Sequence, residues 1–140
     1  MAAESGALRK EHPAGVSSML FYLASIIIHD CFETNPRDTD TNTTSSYLDL
    51  SPLYGKNGEE QKKVRTFSNG LLKKDTFTEV RILGFPPGVA AFLICFNRFH
   101  NYVAGELREI NEGGRFTLPE HPSQFDISKH DHDLFQTARL

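Results

Sequence analysis

The longest regular pattern in this sequence is an apolar repeat that follows Pro86-Pro87-Gly88 and continues for about five helical turns. Apolar residues recur there at intervals of three and four, which is the spacing of one face of an α-helix. They are Phe92, Phe96, Phe99, Val103, Leu107 and Ile110. The pattern predicts a long helix from Val89 to Glu112 with one continuous apolar face, ended by Gly113-Gly114.

A second helix is predicted nearer the start of the sequence. From Val16 to about Glu33 almost every residue is apolar, which is typical of a helix that is buried on most sides. Ser17 or Ser18 is a suitable N-cap, and Pro36 is expected to end the helix.

Other segments complete a mainly α fold class. The run from Asp38 to Ser46 is dense in Asp, Thr, Asn and Ser and is predicted to be a loop. A short charged helix is expected from Glu59 to Thr66, and the segment from Phe67 to Phe85 is left open between short turns and a hairpin. A last amphipathic pattern begins near Ser128 and is still apolar, without a cap, at Leu140. We therefore expect this helix to continue past that residue in an intact protein.

The net charge argues against nucleic acid as a partner, and the length of the apolar runs argues against a transmembrane segment. The sequence has 39% hydrophobic and 24% charged residues with a formal net charge of -3, so it offers no attraction to nucleic acid. The apolar runs from Ser18 to Ile28 and from Val89 to Phe96 are shorter than the ~20 residues that span a bilayer. We expect no transmembrane segment and a cytoplasmic location, with association with lipid bodies or membranes left open.

A polar pair, His29-Asp30, lies near the end of the first predicted helix. Polar side chains in apolar surroundings are costly unless each has a partner, so other groups must meet this pair. Taken alone, such a histidine is most often a core residue with satisfied hydrogen bonds. The residues by themselves leave this interpretation and a functional one open.

Oxygen-bearing residues alternate along the segment 45–51. In an extended segment alternate residues point to one side, and here they offer two hydroxyls, a backbone carbonyl and a carboxylate. Hard oxygen ligands of this kind are those that Ca²⁺ collects, and Asp30 would add a second carboxylate if it lay nearby. The alternative is an ordinary turn rich in Asp and Ser. The residues are Ser45, Tyr47, Asp49 and Ser51.

Several motifs occur in an order that resembles a known family. They read Leu-Ala-Ser-Ile-Ile-Ile-His-Asp at 23–30, Thr-Ser-Ser-Tyr-Leu-Asp-Leu-Ser-Pro-Leu-Tyr-Gly at 44–55, Phe-Pro-Pro-Gly at 85–88 and Asn-Arg-Phe-His-Asn at 97–101. Over residues 16–117 the sequence closely resembles the fungal fatty-acid dioxygenases called linoleate diol synthases or psi-factor-producing oxygenases. These belong to the animal haem-peroxidase superfamily, together with the cyclooxygenases.

The resemblance implies a fragment of the helical animal haem-peroxidase fold. Residues 1–15 would be a flexible lead-in and residues 16–140 the distal-haem half, truncated at its C-terminus. The implied cofactors are haem iron and calcium, and the implied substrates are O₂ and an unsaturated C18 fatty acid such as linoleate, which becomes a hydroperoxide. His29 matches the distal haem histidine, a general acid and base. The matched calcium ligands are Asp30, Ser45, the Tyr47 carbonyl, Asp49 and Ser51.

Some positions depart from the family pattern. Ser25 stands one turn before His29, where cyclooxygenases have glutamine. The stretch Gly84-Phe85-Pro86-Pro87 replaces the haem-bonding residues of myeloperoxidase, so covalent haem attachment is not expected. Arg81 lies one residue away from the place of a distal arginine, and a surface arginine is the alternative to a haem contact.

The family's proximal haem ligand and radical tyrosine lie in a Tyr-Arg-Trp-His motif that this sequence lacks. It has no Trp, and none of its four Tyr residues is followed by His three positions later. We therefore expect the fragment to be inactive alone, and the alternative is a non-catalytic calcium-binding remnant. A homo-oligomer of the full-length protein is left open.

The remaining histidines are predicted to have no catalytic role. His100, beside Asn101, matches a family pair that packs and hydrogen-bonds the long helix. His130-Asp131-His132-Asp133 is predicted to be a solvated helix start, because acidic residues favour a helix N-terminus and alternate residues face opposite sides.

Overall fold

The computed structural model describes residues 12–45 and 47–139, and within them the chain is mainly α-helical, as predicted. A small antiparallel hairpin is the one sheet of this part of the chain. None of the described helices has the length and apolar character of a bilayer span. The elements are α1 (Ser18–Cys31), β1 (Thr34–Asn35), β2 (Asp38–Asn42), α2 (Ser51–Tyr54), α3 (Gly58–Val64), α4 (Pro87–Ile110) and α5 (Gln124–Ala138), with 3-10 turns at Val80–Gly84 and Glu112–Gly114.

The first helix begins as predicted but ends earlier. The Ser17 hydroxyl caps it by accepting a hydrogen bond from the Met19 N–H. It ends at Cys31, because the chain turns extended at Phe32 and enters the hairpin before Pro36 is reached. The prediction of a loop from Asp38 to Ser46 was therefore wrong for residues 38–42. Ser46 itself lies outside the described residues.

The hairpin is tied to the end of α1 by side chains that the loop composition did not reveal. The Asn42 side chain accepts a hydrogen bond from the Glu33 N–H and donates one to the Cys31 carbonyl oxygen. The Thr43 hydroxyl donates to the Glu33 carbonyl oxygen. These bonds satisfy backbone groups that the helix leaves unpaired at its C-terminus.

Most of the α1 surface is open, so the prediction that it is buried on most sides was wrong. Only Ile26 and Asp30 are buried, and they face the core. The helix packs on α4 and α2, and the apolar side chains of its other faces remain exposed. These are Met19, Leu20, Phe21, Ile27 and Ile28.

The long helix α4 has the predicted position, but a different face is buried. Its core stripe is Val89, Leu93, Asn97, His100 and Ala104. The predicted apolar face lies beside that stripe and is partly open, with Phe99 48% and Ile110 70% exposed. The helix ends at Asn111, which adopts the left-handed conformation (φ 42°, ψ 50°), before the predicted glycines are reached.

Hydrogen bonds from polar residues of the α4 stripe explain why it turns inward. The Asn97 side chain donates to the carbonyl oxygens of Lys73 and Thr76 and accepts from the Asp75 N–H. Asn101, at the edge of the stripe, exchanges two hydrogen bonds with the backbone of Leu72. The residue 70–76 loop has little secondary structure of its own, so these side chains provide partners for its backbone.

His100 is fully buried at the centre of this arrangement, which agrees with its predicted structural role. Its Nε2 lies 2.8 Å from the Gly70 carbonyl oxygen, and its Nδ1 lies 3.0 Å from the Tyr54 hydroxyl. Because a carbonyl only accepts, Nε2 carries the hydrogen, and in the neutral ring Nδ1 accepts from the phenol. Burial disfavours the charged ring and lowers the pKa of His100.

A buried ion pair fixes α5 against the rest of the fold. Asp131, only 3% exposed, accepts hydrogen bonds of 2.6 Å from Arg65 and of 2.6 Å from the Gly70 N–H. The prediction of a solvated helix start at residues 130–133 was wrong, because α5 begins at Gln124. A capping box of Ser123 and Asp126 forms its real N-terminus.

We predict that Asp131→Asn lowers the free energy of unfolding by about 3–5 kcal/mol, because it leaves the buried Arg65 charge without its counter-ion. Urea denaturation measures this change. The matched control is Asp133→Asn on the same helix, whose partner Lys129 is exposed, and a change within about 1 kcal/mol is expected there. Equal losses in both variants would contradict the assignment of the buried pair.

A second prediction concerns the dependence of stability on pH. The unfolded chain takes up a proton on His100 as the pH falls through about 6.5, whereas the folded chain does not until a lower pH. His100→Gln should therefore reduce the loss of stability between about pH 6.5 and 5 by up to about 1.4 kcal/mol per pH unit. The variant His132→Gln, at an exposed position, should keep the original slope.

Candidate functional site

His29 lies in the last turn of α1, where its imidazole is half-buried and held on one side. Its Nδ1 is 2.7 Å from the carbonyl oxygen of Ser25, one turn earlier. Because the carbonyl can only accept, Nδ1 carries the hydrogen, and the neutral ring offers Nε2 as its acceptor. No hydrogen-bond partner of Nε2 is found among the described residues.

The ring of Phe85 packs edge-to-face against the same imidazole, with ring centroids 4.8 Å apart and planes at 88°. The sequence did not reveal this contact, because Phe85 lies 56 positions further along the chain. The two interactions restrict the imidazole in different ways. The hydrogen bond to Ser25 fixes one nitrogen, and the aromatic contact fixes the plane of the ring.

Asp30 points the opposite way, into the core, and its carboxylate joins α1 to α2. It accepts hydrogen bonds from the N–H of Leu50 (2.9 Å), from the N–H of Ser51 (2.7 Å) and from the Ser51 hydroxyl (2.8 Å). The Thr44 hydroxyl donates to the Asp30 carbonyl oxygen at 2.8 Å. Thr44, Leu50 and Ser51 therefore lie directly against the end of the helix that carries His29.

The oxygen-bearing residues of this loop are bonded mainly to one another. The Ser45 hydroxyl accepts from the Tyr47 N–H, and the Tyr47 carbonyl oxygen accepts from the Asp49 N–H, while the Tyr47 ring points outward and is 80% exposed. Asp49 lies close enough to Asp30 for the two carboxylates to interact. Burial, followed by the negative charge of Asp30, raises the pKa of Asp49.

Leu50 adopts a backbone conformation that is unfavourable for a branched side chain. Its φ of 57° and ψ of 40° lie in the left-handed region. The contacts that hold it there are the hydrogen bond of its N–H to Asp30 and the short helix α2 that follows. The sequence pattern predicted an extended segment over residues 45–51 and missed α2, because four residues are too few for a helical period to be read.

Arg81 is engaged in another part of the surface. Its guanidinium donates to both carboxylate oxygens of Glu79, at 2.9 and 2.5 Å, and it approaches Glu33 at 3.9 Å. Burial alone would raise the pKa of Glu79, but the hydrogen bonds from Arg81 outweigh it and hold that pKa below its usual range. These three residues line a polar cleft of about 270 Å³. A contact between Arg81 and haem stays a prediction.

Comparisons with known proteins identify the family of this chain. The family model described as animal haem peroxidase matches residues 9–87, which include His29, Asp30 and the 44–51 loop. The chain is 60% identical over 131 residues to psi-producing oxygenase A of Emericella nidulans. It is 61% identical over 132 residues to linoleate diol synthase of Gaeumannomyces graminis and 58% identical over 131 residues to 7,8-linoleate diol synthase of Pyricularia oryzae.

Each of these alignments covers 94% of this chain but only 11–12% of the relative's own length. The chain is therefore similar to a small part of much longer proteins. That part contains the helix with His29, the loop bonded to Asp30 and nearly all of the described core. Since the family model matches more than half of its residues, the chain belongs to the animal haem peroxidase family.

Proposed function

We propose that this chain forms the distal part of the haem site in a fatty-acid dioxygenase that inserts O₂ into linoleate-type fatty acids and gives hydroperoxides. The observation that carries the proposal is the state of His29. Its Nδ1 hydrogen is donated to the Ser25 carbonyl, so the neutral, half-buried ring offers Nε2 as an acceptor. A histidine prepared in this way is suited to accept a proton from a peroxide.

The residues around His29 fit a flat, largely apolar cofactor. Phe85 packs on the imidazole and is itself 40% exposed, and Ile28, the neighbour of His29 in the chain, is also exposed. Haem, when bound, supplies the iron redox chemistry. His29 Nε2 would take the proton of the peroxide O–H and return it to the leaving oxygen. Arg81 as a second haem contact would require its guanidinium to leave Glu79.

The chain by itself is proposed to be inactive, because its sequence has no Tyr-x-x-His segment that could supply the proximal ligand and the radical tyrosine. The 140-residue chain with added haemin, linoleate and O₂ should therefore give no more hydroperoxide than haemin alone. Product chromatography measures this. Hydroperoxide formed above the haemin blank would contradict the proposal that further residues are required.

A chimera tests the proposed activity directly. The segment of Gaeumannomyces graminis linoleate diol synthase that aligns with this chain is replaced by this chain, and linoleate oxygenation is expected to persist. His29→Gln in the chimera should lower turnover by roughly 10²–10⁴-fold, the usual contribution of a general acid and base. His132→Gln, at an exposed position on α5, is the control and should leave turnover unchanged.

A chimera that folds and takes up haem but does not oxygenate linoleate would contradict the proposed function. If the His29→Gln chimera turns over linoleate as fast as the His132→Gln chimera, the role of His29 is contradicted but the proposed function is not.

We also propose that a calcium ion binds Asp30, Ser45, the Tyr47 carbonyl, Asp49 and Ser51. The raised pKa of Asp49 supports it, because a cation between two interacting carboxylates would relieve their repulsion. The described residues contain no cluster of three or more His, Cys, Asp or Glu side chains arranged to hold a metal. Calcium would therefore depend on hydroxyl and carbonyl oxygens beside two carboxylates. The role of the calcium ion would be structural, because an ion bound to Asp30 would fix the position of the adjacent residue His29.

Thermal unfolding with and without EGTA tests this site. Saturating Ca²⁺ at about 100 times its Kd should stabilise the chain by about 2.7 kcal/mol, seen as a higher Tm. Asp49→Asn should abolish the shift, and Asp38→Asn, on the exposed hairpin, should retain it. If the unaltered chain has the same Tm in Ca²⁺ as in EGTA, the calcium site is contradicted and the loop is an ordinary hydrogen-bonded turn.

A further inference from the structure

We propose that Phe85-Pro86-Pro87-Gly88 is a rigid splint that fixes the imidazole of His29, with Phe85 as the positioning residue. The inference rests on the proposed role of His29 and deepens it, because it explains how one orientation and one tautomer of that ring are maintained. The splint is a structural feature of residues 85–88 and does not itself depend on a bound cofactor.

The first end of the splint is the contact of Phe85 with His29. A centroid distance of 4.8 Å and an interplanar angle of 88° describe an edge-to-face aromatic pair. The hydrogen bond from Nδ1 to Ser25 would still allow the ring to tilt about that bond. The ring of Phe85, packed edge-to-face on the imidazole, opposes this motion.

The middle of the splint is stiff for reasons of covalent geometry. Proline fixes its own φ and restricts the residue before it to extended conformations. Phe85 is accordingly extended, with φ -97° and ψ 168°, and its N–H donates to the Ile82 carbonyl oxygen at 3.0 Å. Pro87 starts α4 in the first-turn position where proline is tolerated. Few backbone rotations are left between Phe85 and the long helix.

The second end is the close packing of Gly88 on the ring of Tyr22. A Cβ atom on residue 88 would lie 2.2 Å from Cε2 of Tyr22, so only a hydrogen fits at this position. Tyr22 is half-buried and packs against the hydrophobic core, which limits how far its ring can move away. The first turn of α4 therefore packs directly against α1.

The splint contacts α1 at two points. Tyr22 and His29 are seven residues apart, which is about 10.5 Å along a helix. Phe85 contacts His29 and Gly88 packs on Tyr22, so residues 85–88 lie along about two turns of α1. Because two prolines restrict the backbone between these contacts, a displacement at Gly88 should be transmitted to Phe85.

Nitrogen NMR of the histidine rings tests the splint in the 140-residue chain without haem. The chain is labelled with ¹⁵N-histidine, and the His29 signals are assigned by their loss in His29→Gln. In the neutral ring the Nδ1–H tautomer should predominate. Phe85→Leu should lower the ratio of the Nδ1–H to the Nε2–H tautomer by roughly two- to tenfold, the range that an edge-to-face aromatic pair supports. Phe85→Tyr, which keeps the ring, should restore it.

Two further variants separate a splint from a general loss of packing. Gly88→Ala adds a Cβ atom that would clash with the ring of Tyr22 and does not touch His29. It should shift the His29 signals in the same direction as Phe85→Leu. Leu83→Ala is the control, because Leu83 lies two residues before Phe85, in the 3-10 turn Val80–Gly84, and its side chain is 70% exposed. It should leave the His29 signals unchanged. The signals of His100, deep in the core, report whether each variant remains folded.

The proposal is overturned if Phe85→Leu or Gly88→Ala folds, judged by the His100 signals, and the His29 tautomer ratio stays as in the unaltered chain. This result does not depend on the linoleate chimera. A folded, haem-loaded chimera without activity, combined with the expected NMR changes, would support the splint and contradict the proposed function. An active chimera combined with unchanged NMR signals would contradict the splint and leave the proposed function standing.

Discussion

The carboxylate of Asp30 is the interaction on which the rest of the structure depends. A buried charge is tolerated only when hydrogen bonds replace its lost water, and here two backbone N–H groups and a hydroxyl from Leu50 and Ser51 do so. These bonds hold Leu50 in a left-handed conformation and start α2, which places Tyr54 in the core. Because His29 is the adjacent residue, the bonds that anchor Asp30 also determine where the imidazole lies.

From α2 a continuous set of buried polar contacts crosses the fold. Tyr54 donates to His100, His100 donates to the Gly70 carbonyl, and the Gly70 N–H donates to Asp131. Each contact satisfies a group that would otherwise be costly to bury, and each involves a different part of the chain. Apolar packing alone would permit α4 to rotate about its axis, whereas these directional bonds select one face. The register that results brings the Phe-Pro-Pro-Gly segment onto α1 beside His29.

The sequence predicted features that depend on neighbouring residues, and it failed where distant residues decide. The positions of α1 and α4 and the Ser17 cap follow from local patterns, although both helices end before the predicted residues. The buried face of α4 does not, because periodicity ranks Phe99 and Ile110 as core residues and cannot register that Asn97 has partners at residues 73–76. Asp131 was misassigned for the same reason, since its partner Arg65 is 66 positions away. Of the candidate site, the proximity of Asp30 to the 45–51 loop was anticipated from the family resemblance, whereas Phe85 was not.

The same separation between local and distant determinants applies to the chemistry. The hydrogen bond to the Ser25 carbonyl, four residues away, and the contact with Phe85 orient the imidazole of His29, so its orientation is encoded within these elements. The imidazole is only half-buried, and apolar side chains of α1 such as Ile28 are exposed. An apolar surface of this extent is usually a contact surface in a folded protein. A pocket closed over His29 therefore needs a second wall, while the orientation of the histidine does not. The contacts that orient the ring of His29 all lie within this chain, so its orientation does not depend on the residues that would close such a pocket.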